Sequence, residues 1–254
     1  MQIQNILELY DQQQRLGLEI PGAEKQVLPH LVRILRPAPG LNYIAYSRLT
    51  AANADAVIAE QVAYLRPLGQ PFEWQAYAHD PPADLVERLA AHGFEPEGWE
   101  PVMVLDLEAA PAALLRPVMA DVRRLTRPED LEIVIQVEEQ VWGGNFGWMR
   151  GRMGPHLALP GYLSLYAAYV DGEPASVGWT YFNPLSQFGG LFGGSTLAGQ
   201  RGRGLYTALL AVRVQEALRR GLRFLLIEPS AMSLPIVTKH GFVELARKNA
   251  CAWP

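Results

Sequence analysis

The chain has 254 residues, 49% of them hydrophobic and 19% charged, with a formal net charge of −4. This balance fits a globular protein with room for one large domain or two ordinary ones. No apolar run approaches the roughly 20 residues of a membrane span, the acidic balance argues against general nucleic-acid binding, and the single cysteine, Cys251, excludes an intrachain disulfide and a cysteine-cluster metal site.

Residues 1–5 contain no basic segment that could open a secretory signal, so a cytoplasmic location is expected. Phe72–Tyr77 reads as a strand, residues 82–91 as a helix, and a second strand ends at Leu107 after His92-Gly93-Phe94. Residues 108–117, with Pro111, Pro117 and four alanines, read as a linker. A boundary near residue 115 divides the chain into domains 1–115 and 116–254. The charge divides there too, at −8 before the boundary and +4 after it. A basic second half suits a small polyanionic ligand.

In that second half, residues 122–125 read as a strand. Thr126-Arg127-Pro128-Glu129 has the form of a capping box with proline in the first turn, opening a helix that ends at Trp142. A loop and short helix over residues 143–159 follow, rich in aromatic residues. Leu163–Val170 and residues 174–182 form a hairpin about the turn Asp171-Gly172, and residues 187–197 form a third strand. A helix over residues 205–220 places Leu205, Ala208, Leu209 and Val212 on its apolar stripe, with Arg213, Glu216 and Arg220 expected to face outwards. Gly221 closes it. Residues 223–227 read as a strand whose apolar run from Phe224 to Ile227 has the pattern of a central strand parallel to its predecessor. A last short helix, Leu234–Lys239, leads through Gly241-Phe242 into a terminal strand.

The most informative stretch is Gln200-Arg201-Gly202-Arg203-Gly204-Leu205-Tyr206-Thr207, two glycines and two arginines ahead of a helix. Glycine tolerates positive φ and lacks a Cβ, so its N–H groups can converge on an anion. The helix N-terminus adds unpaired N–H groups and the positive end of its dipole. A diphosphate suits this geometry, against the bland alternative of a solvated turn. A dinucleotide fingerprint, with Gly202, Gly204 and Glu228, is a rival. It lacks the third glycine, and the 26 residues after Glu228 are too few for further β-α units.

A second His-Gly-Phe triplet, His240-Gly241-Phe242, stands 148 residues after the first and follows equivalent elements. Apart from coincidence, this indicates two copies of one fold. The first copy has Thr50-Ala51-Ala52-Asn53 where the second has its glycine-arginine loop.

The order β-α-α-β-β-β-loop-α-β-α-β, with the loop placed after the third hairpin strand, resembles the GCN5-related N-acetyltransferase (GNAT) superfamily. Arg201-Gly202-Arg203-Gly204-Leu205-Tyr206 is similar to that family's pyrophosphate signature except that Tyr206 replaces a small residue. Ser230, Ser233, Pro235-Ile236 and Lys239-His240-Gly241-Phe242 resemble its C-terminal signature. The resemblance covers residues 119–254 well and residues 1–115 loosely. It implies an α/β fold of two tandem domains, each an α+β mixed sheet flanked by helices, with acetyl-CoA or another acyl-CoA as co-substrate of the second.

By that resemblance, Thr196 and Leu197 pair with the pantetheine through their backbone. The N–H groups of Arg201, Gly202, Arg203, Gly204, Leu205 and Tyr206 hold the diphosphate, with the Thr207 hydroxyl in reach. The implied activity is N-acyl transfer to a small-molecule or peptide amine by direct attack. A non-catalytic acyl-CoA-binding module is the alternative. The family's tyrosine acid matches Val237 here, which leaves Ser230 and Tyr206 as substitute donors. Glu228, at the end of a central strand, is the preferred base, ahead of Glu138, Glu139 and His156. One acyl-CoA per chain, no membrane or nucleic-acid partner, and a monomer complete these expectations.

Overall fold

A computed structural model describes residues 2–38 and 40–254. In chain order the elements are α1 (Ile3–Tyr10), β1 (Glu24–Val27), β2 (Leu31–Leu35), β3 (Asn42–Ser47), α2 (Ala54–Leu65), β4 (Phe72–Tyr77), α3 (Leu85–Ala91) and β5 (Glu95–Asp106). They continue with α4 (Ala112–Leu115), β6 (Asp121–Leu125), α5 (Leu131–Trp142), α6 (Trp148–Leu157), β7 (Leu163–Val170), β8 (Glu173–Phe182), β9 (Phe188–Thr196), α7 (Leu205–Arg219), β10 (Phe224–Ile227), α8 (Leu234–Lys239) and β11 (Val243–Trp253). The class is α/β, with mixed sheets flanked by helices.

The chain forms two compact units, one ending at Val102 but including Glu244–Pro254, the other spanning Met103–Val243. Residue 115 therefore falls inside the second unit, and β11 belongs to the first. The linker-like segment around it contains α4, whose Leu114 is fully buried in a core shared with Leu210, Val214 and Val237. Proline and alanine content concealed an anchoring leucine.

In the first unit the strand order is β1-β2-β3-β4-β11-β5. β3 and β4 run parallel from Asn42↔Phe72 to Ile44↔Trp74. The core is Ile44, Ile58, Leu65, Phe72, Trp74 and Phe94 with their neighbours. In the second unit the order is β5-β10-β9-β8-β7-β6. β10 is parallel to β9, as its continuous apolar run predicts, with partners from Phe224↔Phe188 to Ile227↔Leu191. Alternation along β7 divides the two faces: Leu165 and Ala167 pack towards α5, Tyr166 and Ala168 towards α7.

Two local readings are corrected. The turn before α5 is capped by Asp130, whose Oδ2 accepts the backbone N–H groups of Thr126 and Arg127 at 3.0 Å each. The Thr126–Glu129 box does not form, because a 3-10 turn over Pro128–Asp130 precedes the helix. On α7, Arg213 and Glu216 are buried, at 1% and 4% exposure, and do not face outwards. Their partners come from the sheet, which helical periodicity cannot register. Ser164 Oγ and Tyr166 Oη donate to Glu216 at 2.8 and 3.1 Å. Arg213 donates to the carbonyls of Leu209, Phe192 and Trp179.

Candidate functional site

The site is organised by the parting of β9 and β10. Their pairing stops at Leu191↔Ile227, while β9 continues to Thr196 along β8. Beyond Leu191 no described strand covers β9 on that side, which leaves a backbone edge open to an extended ligand. A β-bulge sits on this open stretch. Val177 pairs with Ser195 and Gly178 with Gly193, so Gly194 is the extra residue. Gly193 and Gly194 have φ of 67° and 81°, which only glycine adopts readily. A Cβ at Gly193 would strike the Trp179 ring, and one at Gly194 the Tyr206 ring at 2.7 Å.

At the end of β9, a short 3-10 turn over Ala198–Gln200 leads into the glycine-arginine loop. Gly202 and Gly204 have φ of 75° and 77°. A Cβ built on either would meet no atom within 4 Å, so the space beside the loop is open. Gly204 is the N-cap of the 15-residue α7, and no side chain caps the helix. Its first N–H groups thus have no intrahelical acceptor and no side-chain cap. Arg201 and Arg203 are exposed. Arg201 Nε donates to the Thr196 carbonyl at 3.2 Å, and Arg203 Nη1 to Gln200 Oε1 at 2.7 Å. These single contacts hold the guanidinium groups beside the loop and leave further donors on each. Thr207 Oγ1 lies 3.4 Å from His240 Nε2. Burial and the neighbouring Lys239 push the His240 imidazole below its ordinary value.

Tyr206 turns its ring onto the bulge and its hydroxyl to Ser233, next to the start of α8. Burial pushes the phenol above its ordinary value, opposed by Arg213 and the Ser233 hydrogen bond, so it holds its proton at neutral pH. Ser230 and Ser233 hydroxyls are 3.2 Å apart. Val237 is buried in the core. Tyr206, Ser230 and Ser233 therefore gather at the parting of the strands, whereas Glu228 stands exposed just past the end of β10.

On the other face of β9, Glu138 of α5 is 3% exposed and its Oε1 has no hydrogen-bond partner. Burial pushes the carboxyl above the usual carboxylate range, opposed by the neighbouring Ser195 and Trp142. Trp142 Nε1 donates to Ser195 Oγ at 2.8 Å. Ser195 and the bulge were not among the residues singled out from sequence. The run Gly193-Gly194 in a strand was the available signal. Glu139 accepts the Phe146 N–H instead, and His156 Nδ1 lies 3.2 Å from the Tyr181 hydroxyl.

No protein-family model matches the chain, and no curated protein matches its sequence. Solved structures do match. A GCN5-related N-acetyltransferase from Kribbella flavida aligns with a TM-score of 0.72 over 98% of this chain and 95% of that one, at 15% identity. The fold is that of the GNAT superfamily. A tandem GNAT protein from the clavulanic acid biosynthesis pathway aligns at a TM-score of 0.62 and 14% identity, covering 98% and 94% of the two chains. A GNAT protein from Sphaerobacter thermophilus gives 0.59 and 15%, covering 98% and 84%.

Within this GNAT fold the first unit repeats the features of the second without the loop. β3 and β4 part after Ile44↔Trp74, and Ala45 is the extra residue of a bulge between Val32↔Tyr46 and Arg33↔Ile44. His92-Gly93-Phe94 and His240-Gly241-Phe242 both follow a helix, with glycine φ of 99° and 87° and buried phenylalanines. The parting in the first unit is filled. Arg15 Nε donates to the Ala45 carbonyl at 3.1 Å, its guanidinium pairs twice with Asp80, and it lies 3.9 Å from the Tyr77 ring centroid. Thr50–Asn53, ahead of α2, offers no glycine; Asn53 Oδ1 accepts the Thr50 N–H at 2.7 Å.

Proposed function

We propose that the protein is an N-acyltransferase that moves an acetyl or other acyl group from acyl-CoA to a primary amine on a small molecule or peptide. The observation that carries the reading is the loop over residues 201–204: two left-handed glycines with open space beside them, an uncapped helix N-terminus and two exposed arginines, at the end of a strand edge that no described strand covers beyond Leu191. These residues suit an acyl-CoA: the loop for the diphosphate, and the β9 edge up to Thr196 for the pantetheine amides, with Arg201 giving up the Thr196 carbonyl. Leu197 does not share in this edge, since its N–H donates to the Ala175 carbonyl and its own carbonyl accepts the Gln200 N–H.

Direct attack by the amine nitrogen on the thioester carbonyl forms the C–N bond, and the C–S bond breaks with the electron pair on sulfur. From an ammonium substrate, one proton ends on the thiol and one in solvent. Tyr206, protonated at neutral pH and turned onto the bulge, is the donor to the departing thiolate in place of the residue lost at Val237. Ser230 and Ser233 orient its hydroxyl. A thiol has an ordinary pKa near 8.5, so this donor assists a step that also runs unaided. Glu228 is a base candidate from its position after β10.

Titration of the protein with acetyl-CoA, followed by an amine panel with a thiol-release readout, tests the reading. One binding event per chain and amine-dependent release are expected. Absence of binding would overturn the reading. Binding without release over the whole panel would favour the non-catalytic module, to which Val237 lends support.

A further inference from the structure

A second constellation lies on the α5 face of β9. Glu138 is a carboxyl withdrawn from water with one oxygen unpartnered, an arrangement that is costly unless something answers it. Its polar neighbours come from two elements and are bonded to each other: Trp142, one helical turn along α5, and Ser195, next to the bulge glycine. Trp142 and Phe192 are half exposed, at 54% and 50%. Phe192 pairs with Trp179 and Ser195 with Val177, which places both on the face that packs against α5. A buried acid thus stands beside Trp142 and Ser195, the residue after the bulge glycine, with the Phe192 ring farther along the same face of β9, against Tyr181.

We propose that Glu138, Ser195, Trp142 and Phe192 form the acceptor subsite, which takes an amine carried on an aromatic or similarly flat apolar body, with Glu138 receiving its proton. The inference rests on the acyltransferase reading above. The chemistry follows from the placement. An ammonium group entering the subsite supplies the missing partner of Glu138 Oε1, as a charge-assisted hydrogen bond. Proton transfer to the carboxylate yields a neutral amine, whose lone pair is then free to attack, and Glu138 later releases that proton to solvent. The ring carrying the amine covers Trp142 and Phe192, removing apolar surface from water.

The groups that face Glu138 leave it as the ionisable partner of such an amine. β9 carries no ionisable side chain. From β8 and α6, Tyr181 and His156 are engaged with each other. Arg150 is paired with Glu132, and Arg127 with Asp130. On α5 itself, Glu139 accepts from Phe146.

The experiment compares wild type, Glu138→Gln and Phe192→Ala, using acetyl-CoA with 2-phenylethylamine and with ethylamine. Wild type should favour 2-phenylethylamine in kcat/KM. Glu138→Gln should lower kcat/KM by about 10²–10⁴, leave acetyl-CoA affinity unchanged, and lose the rise of activity with pH that the wild type shows. Phe192→Ala should raise KM for 2-phenylethylamine and leave ethylamine nearly unaffected. A Glu138→Gln protein within threefold of wild type with the same pH profile would overturn the inference, as would a wild-type preference for ethylamine. Glu228→Gln separates the two bases: a loss there with Glu138→Gln intact transfers the role to Glu228. Failure of the wild type to bind acetyl-CoA would overturn the acyltransferase reading, and this inference with it.

Discussion

Replacing Gly202 and Gly204 together by alanine separates the backbone demands of the loop from its ligand. Both residues sit in the left-handed region, and neither Cβ would touch a protein atom. The cost to the free protein is therefore conformational alone, about 1–2 kcal/mol per non-glycine residue held there. A restricted unfolded chain returns about 0.4–1 kcal/mol per position. The net is roughly 1 kcal/mol each, which for a chain of this size lowers Tm by about 2–4 °C per substitution. The effect on the ligand is larger. If the loop holds a diphosphate as proposed, each methyl stands in the open space through which its oxygens approach the N–H groups. Hydrogen bonds to a charged group contribute about 1.5–3 kcal/mol each, so losing one weakens binding roughly 10- to 150-fold. Calorimetric titration with acetyl-CoA, alongside thermal unfolding, reads both quantities. Gly199→Ala is the control, since Gly199 lies in the preceding turn outside the left-handed region and with open space. It should leave both unchanged. A folded double variant that binds acetyl-CoA as tightly as wild type would refute the assignment of the loop.

Tyr206→Phe keeps the ring against Gly194 but deletes the proton and the Ser233 contact. It should leave acetyl-CoA affinity intact and slow turnover by about tenfold or more. An acetyl donor with a more acidic thiol should narrow that gap, and a constant gap would refute the donor role. Arg15→Ala strands Asp80, whose side chain is 3% exposed, and should destabilise the first unit by about 3–5 kcal/mol. Urea unfolding checks this, and a loss below about 1 kcal/mol would contradict it. The folded fraction should still bind one acetyl-CoA, because opening the parting creates no phosphate loop. For Glu138, the folded state holds its proton to a higher pH than the unfolded chain does. Stability therefore falls as pH rises between the unfolded and folded values. Glu138→Gln should flatten that slope and raise Tm near neutral pH. A lower Tm with the slope retained would show that the carboxylate supports the fold.

The sequence by itself determined the elements of the second unit and the place of its loop. Strong apolar runs, the Asp171-Gly172 turn and Gly221 each act through bonds within a few residues, so local pattern suffices for them. The Gly202-Arg203-Gly204 geometry was readable for the same reason, since positive φ is a property of the residue itself. The His-Gly-Phe triplets carried the repetition of the two units. Tertiary structure alone decided where each polar side chain found its partner. Arg213 and Glu216 sit on α7 at positions that periodicity sends outwards, but carbonyls of β8 and β9 and hydroxyls of β7 draw them in. Gly178 leaves the space that the Arg213 guanidinium fills. The strand β11 reads as the end of the second half, yet it pairs with β4 of the first unit. Glu138 and Glu139 are adjacent in sequence. One helical step turns the first onto Ser195 and the second towards the Phe146 N–H, a distinction that exists only once α5 is laid on β9.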